Sequence, residues 1–265
     1  MNATLRTILL LLMFSSFAAG QGATPAPAGS PAASVPAGNA RQSPAPSHAG
    51  GKSSGQAAAG AHDLKSLLAE MNRAAAGFKS AQADFEWDQY QRVVEEHDLQ
   101  KGQIYFKRTK AGTDAAVKVV SPEPKQVIFK DGKLSLYQPR IDQVTQYKAN
   151  SNRADVESFM SLGFGASGDD LARNFEIKLD GWETVDGVRT AKLDLVPKKE
   201  KMKASVNRVL LWMDAQRNVS LKQQFFEPSG DYRLTHYTNI RLNGRVPDDV
   251  FRLKTTAKTK IVQPQ

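Results

Sequence analysis

The residue types that most often carry catalysis or bind metal ions are few and scattered in this chain. The histidines are His48, His62, His97 and His236, and there is no cysteine. A zinc site needs clustered imidazole, thiolate or carboxylate ligands, so we predict neither a metal site nor a cofactor. We expect no catalytic residue, and therefore a protein that is not an enzyme.

Two glycine-containing motifs match chemical signatures only formally. Residues 163–168 match G-x-G-x-x-G, but they follow a helical pattern, whereas a dinucleotide site begins after a strand. We interpret them as a loop between helices. Residues 51–55 match G-x-S-x-G in a stretch with no strand before it, which we attribute to chance composition.

Arg108 is the charged residue whose position calls for an explanation. By strand alternation it shares a face with Ile104 and Phe106, which directs its guanidinium toward the apolar side. A buried cation must find acceptors, because an unpaired buried charge costs several kcal/mol. The alternative is an arginine at a strand end whose head reaches solvent.

A second group of candidates consists of apolar side chains that alternation places on the inner side of the strands. They are Phe85, Trp87, Ile104, Phe106, Leu134, Leu136, Leu210, Trp212 and Phe225. Arg208 interrupts this face, and alternation leaves open whether Phe225 or Phe226 points inward. Each residue fits core packing as well as the wall of a pocket.

The N-terminus predicts an exported protein. In residues 1–20, Arg6 precedes an apolar run, and Ala18-Ala19-Gly20 resembles a signal peptidase site. The run is shorter than the roughly 20 residues that span a bilayer, so we expect a cleaved signal, with a short uncleaved anchor as the alternative. Export also disfavours nucleic acid as the partner of this basic chain, whose net charge is +9.

The rest of the chain divides by composition. Residues 21–61 are rich in Ala, Pro, Gly and Ser, which bury too little apolar surface to fold, so we predict a disordered linker. Residues 62–265 form the predicted domain. It opens with a helix whose apolar stripe starts at Leu64, with Asp63 as the N-cap.

Short alternating runs, separated by turn pairs such as Asp131-Gly132 and Asp186-Gly187, then predict about ten strands. The pattern from Arg153 to Asn174 is helical, and a last strand is predicted at Val250 to Leu253. We expect one long meandering antiparallel sheet that curls. Its apolar face is either fully packed by two short helical segments or encloses a cavity.

Four local patterns together resemble the LolA family of periplasmic carriers of outer-membrane lipoproteins. They lie in residues 77–85, 102–108 and 128–144 and in Val246-Pro247 followed by Phe251. The Asp-Gly hairpin followed by Tyr-x-Pro and a Gln-Val pair is the most specific of them.

The resemblance implies a mainly β (α+β) fold, an incomplete antiparallel β-barrel with a helical lid over an apolar cavity. It implies a soluble periplasmic protein, expected to be a monomer, that binds acyl chains of lipoproteins or lipids. An inner-membrane ABC-type release complex would load it, and an outer-membrane receptor would unload it. The family's matching arginine implies that Arg108 latches the lid through helix carbonyls.

Two further hypotheses stay open from the sequence. The same half-barrel could serve a sensor that detects lipid or lipoprotein and signals to an envelope-stress regulator. It could also be an envelope module that binds glycan or protein and has no cavity.

Overall fold

The computed structural model describes residues 53–148, 153–214 and 216–264, so the predicted signal and most of the predicted linker lie outside the described residues. The helices are α1 (Ser53–Gly77), α2 (Arg153–Met160), α3 (Gly168–Asn174) and α4 (Glu200–Lys203). The strands are β1 (Ser80–Gln91), β2 (Glu96–Thr109), β3 (Gly112–Ser121), β4 (Lys125–Lys130), β5 (Lys133–Gln138), β6 (Gln143–Lys148), β7 (Phe175–Val185), β8 (Val188–Pro197), β9 (Arg208–Asp214), β10 (Val219–Phe226), β11 (Tyr232–Leu242) and β12 (Lys260–Val262).

All described strands belong to one 12-stranded sheet in the order β12-β6-β5-β4-β3-β2-β1-β11-β10-β9-β8-β7. The sheet consists of two antiparallel runs, β1–β6 and β7–β11, that meet where β1 pairs with β11. It is therefore not one continuous meander, because the segment with α2 and α3 carries the chain from one end of the sheet to the other. Since β12 and β7 remain edges of the described sheet, the barrel is incomplete, and the predicted mainly β half-barrel is confirmed.

Turn chemistry sets the register of the predicted hairpins. Asp131 and Gly132 connect β4 to β5 with φ angles of 52° and 70°, and Asp186 and Gly187 connect β7 to β8 with φ angles of 50° and 77°. Positive φ at both central residues is what the tight turn between twisted antiparallel strands requires. Both predicted turns are confirmed.

The first helix begins earlier than predicted. Since α1 starts at Ser53, Asp63 lies inside the helix, and its predicted role as the N-cap is wrong. The end of the predicted linker, from Ser53 to Ala61, is helical as well. Alanine has the highest helix propensity of all residues, so the alanines at 57–59 favour continuing the helix, a preference that a low-complexity composition conceals.

The C-terminus also differs from prediction. The segment predicted as a final strand is a 3-10 turn, Asp248–Phe251, since it closes local hydrogen bonds instead of pairing with a neighbour. The last strand is β12, which pairs in parallel with β6. Val250 and Phe251 pack with Tyr105 and Ile128 on the outer face of the sheet.

The larger core lies on the opposite, inner face, where α1, α2 and α3 cover the sheet. Leu67 and Met71 of α1 and Val156 of α2 belong to one buried cluster with inner-face residues of the strands. We call α1, α2, α3 and the connecting residues 161–167 the lid. The motif at residues 163–168 lies in this connection up to the first residue of α3, as predicted.

Candidate functional site

Arg108 joins the end of β2 to two separate parts of the lid. Its Nη1 donates a hydrogen bond of 2.6 Å to the carbonyl of Ala75 in α1, and its Nη2 donates one of 3.2 Å to the carbonyl of Gly165. Its Cζ also lies 5.4 Å from the ring centroid of Phe78. Breaking these contacts would remove one link between β2 and both the end of α1 and the α2–α3 connection.

The guanidinium nevertheless lies at the rim of the inner face. Its lid contacts place it on the side of the sheet that the lid covers. Arg108 is an exposed residue one residue before the end of β2, and it does not line the cavity. Solvent screens such contacts, so each contributes about 1 kcal/mol or less to closure.

Under the lid lies a small cavity of about 60 Å³. Its lining is mostly apolar and comprises Trp87, Ile104, Phe106, Ala115, Val117, Val119, Val127, Phe159, Met160, Gln223, Phe225, Arg233 and Tyr237. Because one water needs roughly 10–15 Å³ by this measure, the space holds a few waters and no acyl chain. The lid is therefore closed over the inner face.

Aromatic side chains of the lid pack against aromatic side chains of the inner face. Phe159 of α2 packs against Phe225, with ring centroids 5.1 Å apart, and Phe164 stacks on Phe106 at 5.2 Å. Phe164 also meets the ring of Tyr237 edge-on at 4.9 Å. Phe159 and Phe164 of the lid, which we call the plug, occupy the apolar space between the lid and the inner face.

Close backbone packing holds the plug in place. Gly165 has a φ of +81°, and a Cβ there would lie 2.5 Å from Cδ1 of Phe78. Only glycine therefore allows this approach of the α2–α3 connection to the end of α1.

The predicted inward residues divide into three groups. Trp87, Ile104, Phe106 and Phe225 line the cavity. Phe85, Leu134 and Leu136 are buried in the inner core but do not border the cavity. Phe225, and not Phe226, points inward, which resolves the alternative that the sequence left open.

The third group consists of Leu210 and Trp212, and the prediction that they face the cavity is wrong. On β9 the inner positions are Val209, Leu211 and Met213, which belong to the inner core. Trp212 lies on the outer face, where its Nε1 donates a hydrogen bond of 2.5 Å to Glu183.

The outer face of β9 is also where Arg208 pairs with Asp194, at 2.9 and 3.0 Å. Because this strand is apolar on both faces, alternation could not identify the inner one. Arg208 lies on the same face of the strand as Leu210, and its charge was the sequence signal that this face is the outer one.

Three polar residues of the cavity wall were missed. Gln223 donates a hydrogen bond of 2.7 Å to the carbonyl of Leu162, and the Tyr237 hydroxyl donates one of 3.2 Å to Gln223. Arg233 is buried, with its Cζ 4.7 Å from the Trp87 ring centroid and 5.4 Å from that of Phe225. Burial lowers the pKa of Arg233 to about 10 and raises the pKa of Tyr237 to about 12.

Neither a metal site nor a membrane-spanning helix emerges from the part of the chain that the structure describes. No three or more His, Asp or Glu side chains there form a group that could hold a metal ion. None of the helices there combines the length and apolar character that crossing a bilayer requires.

Comparison with protein families gives one match over most of the domain. A family model described as outer membrane lipoprotein carrier protein LolA matches residues 76–254. The match covers more than half of the chain and contains β1 to β11, the lid connection and Arg108. No curated protein sequence matches the chain.

Solved structures also match the chain, all at low sequence identity. An uncharacterized conserved protein from Thermus thermophilus matches with a TM-score of 0.50 and 10% identity, covering 76% of this chain and 99% of that one. The MucA/MucB complex of Pseudomonas aeruginosa matches with a TM-score of 0.45 and 14% identity, over 72% and 61% of the two chains. A LolA superfamily protein from Nitrosomonas europaea matches with a TM-score of 0.37 and 15% identity, over 72% and 97%.

Proposed function

This chain belongs to the LolA family of outer membrane lipoprotein carrier proteins, as its motifs predicted, and we propose that it binds acyl chains between its lid and the inner face of its sheet. In this proposal it carries acylated lipoproteins or lipids across the periplasm from the inner to the outer membrane. Its role is binding and transport without catalysis.

The observation that carries the proposal is a helical lid over an apolar inner face. The lid rests on the inner face through the plug, is bonded to β10 through the Leu162 and Gly163 carbonyls, and is fastened at the rim by the exposed Arg108 contacts. Weak fastening at the edge and apolar packing beneath it suit a lid that opens to admit a hydrocarbon tail.

The energetics favour reversible binding. A methylene that leaves water for an apolar site contributes about 0.8 kcal/mol. The entering chain must first displace the rings of Phe159 and Phe164, so part of that gain is offset by the plug and by the lost Arg108 contacts. A carrier needs such an offset, because it must also release its ligand.

The location and the partners follow from the same proposal. Residues 1–20 would direct export and be cleaved, residues 21–61 would tether the domain, and residues 62–265 would carry the ligand as a monomer. An inner-membrane ABC-type complex would load the protein and an outer-membrane receptor would accept the ligand.

Uptake of an apolar fluorescent dye by the purified protein, with native mass spectrometry of bound acyl species, tests the proposal. Arg108→Leu removes about 1 kcal/mol of lid closure, so we expect roughly fivefold tighter dye binding than in the wild type. Arg73→Leu is the control, because Arg73 is an exposed arginine of α1 with 73% side-chain exposure.

Equal dye affinity in both variants and the wild type would contradict the role of Arg108 as a latch that holds the lid closed. Failure of every variant to bind dye or acyl species would remove the carrier function itself. Cross-linking in cells separates carrier from sensor: a carrier recovers a release complex, whereas recovery of a regulator's periplasmic domain would contradict transport.

A further inference from the structure

The inner face is polar at the end of the sheet remote from Arg108. Strand register places Gln100, Trp87 and Thr235 side by side on β2, β1 and β11. The next row of the same three strands contains Asp98, Gln89 and Arg233. Arg108 lies near the far end of β2, so the lid latch and this polar region are at opposite ends of the same strand.

Several buried atoms in this region have no hydrogen-bond partner among the described residues. They are Nε1 of Trp87, both amide heteroatoms of Gln89, Oε1 of Gln100 and Oε1 of Glu227. Gln89, Gln100 and Glu227 are each less than a tenth exposed. Buried polar atoms in folded proteins are nearly always hydrogen-bonded, so a group of such atoms indicates that a further molecule completes the site.

The region also concentrates positive charge in a buried place. Arg233 is 6% exposed and Lys125 is 8% exposed. Burial lowers the pKa of Lys125 to about 8, and burial next to Asp231 raises the pKa of Glu227 to about 7. Lys125 lies near the Asp98 and Glu123 carboxylates, and Arg233 lies near Glu227.

The polar region is continuous with the cavity. Trp87 and Arg233 line the cavity, and the Arg233 guanidinium lies between the rings of Trp87 and Phe225. A tail that replaces the plug under the lid would thus end at these groups. Guanidinium suits phosphate and carboxylate oxygens because its donors are arranged as a planar fork.

We propose that Trp87, Gln89, Gln100, Lys125, Glu227 and Arg233 form a headgroup site for the anionic group, phosphate or carboxylate, of a ligand whose acyl chain lies in the cavity. This inference rests on the proposed function and specifies its ligand class as an anionic amphiphile. Arg233 and Lys125 bind the charge, the indole N–H and the Gln89 amide donate to its oxygens, and the Gln100 and Glu227 acceptors take hydroxyl or protonated groups beside it.

Calorimetry on the purified protein with probes of one chain length tests the proposal. The probes are dodecyl phosphate, dodecanoate, dodecanol and inorganic phosphate. We expect both anionic probes to bind at least about tenfold more tightly than dodecanol, because a hydrogen bond to a charged group is stronger than one to a neutral group. The phosphate and carboxylate probes separate the two sources of the anion.

Variants identify the residue that is responsible. Arg233→Gln is expected to reduce the ratio of anionic-probe affinity to dodecanol affinity to about one, and Arg233→Lys is expected to retain part of that ratio. Arg241→Gln is the matched control, because Arg241 is an exposed arginine on the same strand. It should leave every affinity unchanged.

The outcomes separate this inference from the function on which it rests. If dodecanol binds as tightly as the anionic probes to the wild type, the headgroup site is overturned and acyl binding stands. The same holds if a folded Arg233→Gln keeps the preference. If inorganic phosphate alone matches dodecyl phosphate, the acyl chain contributes nothing to binding, so the assignment of these residues to the headgroup of an acyl ligand is overturned, and dodecanol binding decides whether acyl binding stands. If no probe with a chain binds, the proposed function fails first.

Discussion

Two arginines at opposite ends of the inner face show how the environment determines the role of the same type of side chain. Arg108 is exposed and donates to lid carbonyls, so losing it leaves behind acceptors that water can reach. Arg233 is buried between aromatic rings, and its pKa is lowered by burial. We therefore expect substitution of Arg108 to change lid opening and substitution of Arg233 to change ligand choice.

Glu227 gives a pH-dependent prediction at the same scale. Burial, followed by the neighbouring Asp231 carboxylate, raises its pKa from 4.5 to about 7, and only Arg233 opposes the shift. Between those values the folded protein binds more protons than the unfolded chain. The contribution of this group to stability therefore falls as pH rises through that window and stays constant above it.

Urea unfolding of the wild type and Glu227→Gln at a series of pH values measures this effect. The free energy of unfolding of the wild type relative to the variant should decrease by about 2 kcal/mol from the acidic to the neutral end of the window. This is less than the full pKa shift implies, because solvent screens part of the effect. Lys125 does not interfere, because its pKa of about 8 places its titration above the window. If the free energies of unfolding of the wild type and the variant change with pH in parallel, Glu227 is solvated like an ordinary carboxylate and the prediction is contradicted.

At the scale of elements, the lid is held by local geometry as much as by apolar area. The α2–α3 connection reaches α1 only because Gly165 has a positive φ and no side chain facing Phe78. The same connection carries Phe164 into the inner face, so a change at Gly165 should move the plug.

Gly165→Ala is therefore expected to open the lid. The new methyl group cannot lie 2.5 Å from the Phe78 ring, so the connection must shift, and the hydrogen bond from Arg108 to the Gly165 carbonyl weakens. We expect a loss of about 1–2 kcal/mol in the free energy of unfolding and an increase in dye uptake.

Gly187→Ala provides the control for backbone strain. Gly187 has a φ of +77°, but a Cβ there would meet nothing within 4 Å. This variant should lose stability through strain and keep wild-type dye uptake. An equal rise in uptake for both variants would mean that general destabilisation, and not the lid contact, opens the cavity.

For the whole molecule, the predictable features were those that local chemistry determines. Strands such as β10 and β11 were predictable because their alternation and flanking turn residues are unambiguous. The Asp-Gly hairpins followed from the φ angles that their turns require.

The features that sequence could not supply depend on long-range packing. The inner face of β9 was misidentified because its residues 209–213 are apolar on both faces and only Arg208 marks the outer one. The parallel pairing of β12 with β6 was missed because it joins segments distant along the chain. The polar residues of the cavity were missed because alternation assigns charged side chains such as Arg233 to solvent by default. Only the folded sheet shows that Arg233 shares the inner face with Tyr237.

The most direct test of the claim that an acyl chain binds between the lid and the inner face uses tryptophans on the two faces of the sheet. Trp87 lines the cavity, whereas Trp212 lies on the outer face, and the third tryptophan, Trp182, can be replaced in both variants. One variant keeps only Trp87 and the other keeps only Trp212, with phenylalanine at the remaining positions. The measurement is quenching of tryptophan fluorescence by a fatty acid brominated in mid-chain, because bromine quenches only on contact.

If the acyl chain replaces the plug under the lid, titration should quench Trp87 saturably and leave Trp212 bright. Quenching of Trp212 to the same degree, or of neither tryptophan, would mean that no hydrocarbon tail enters between the lid and the inner face.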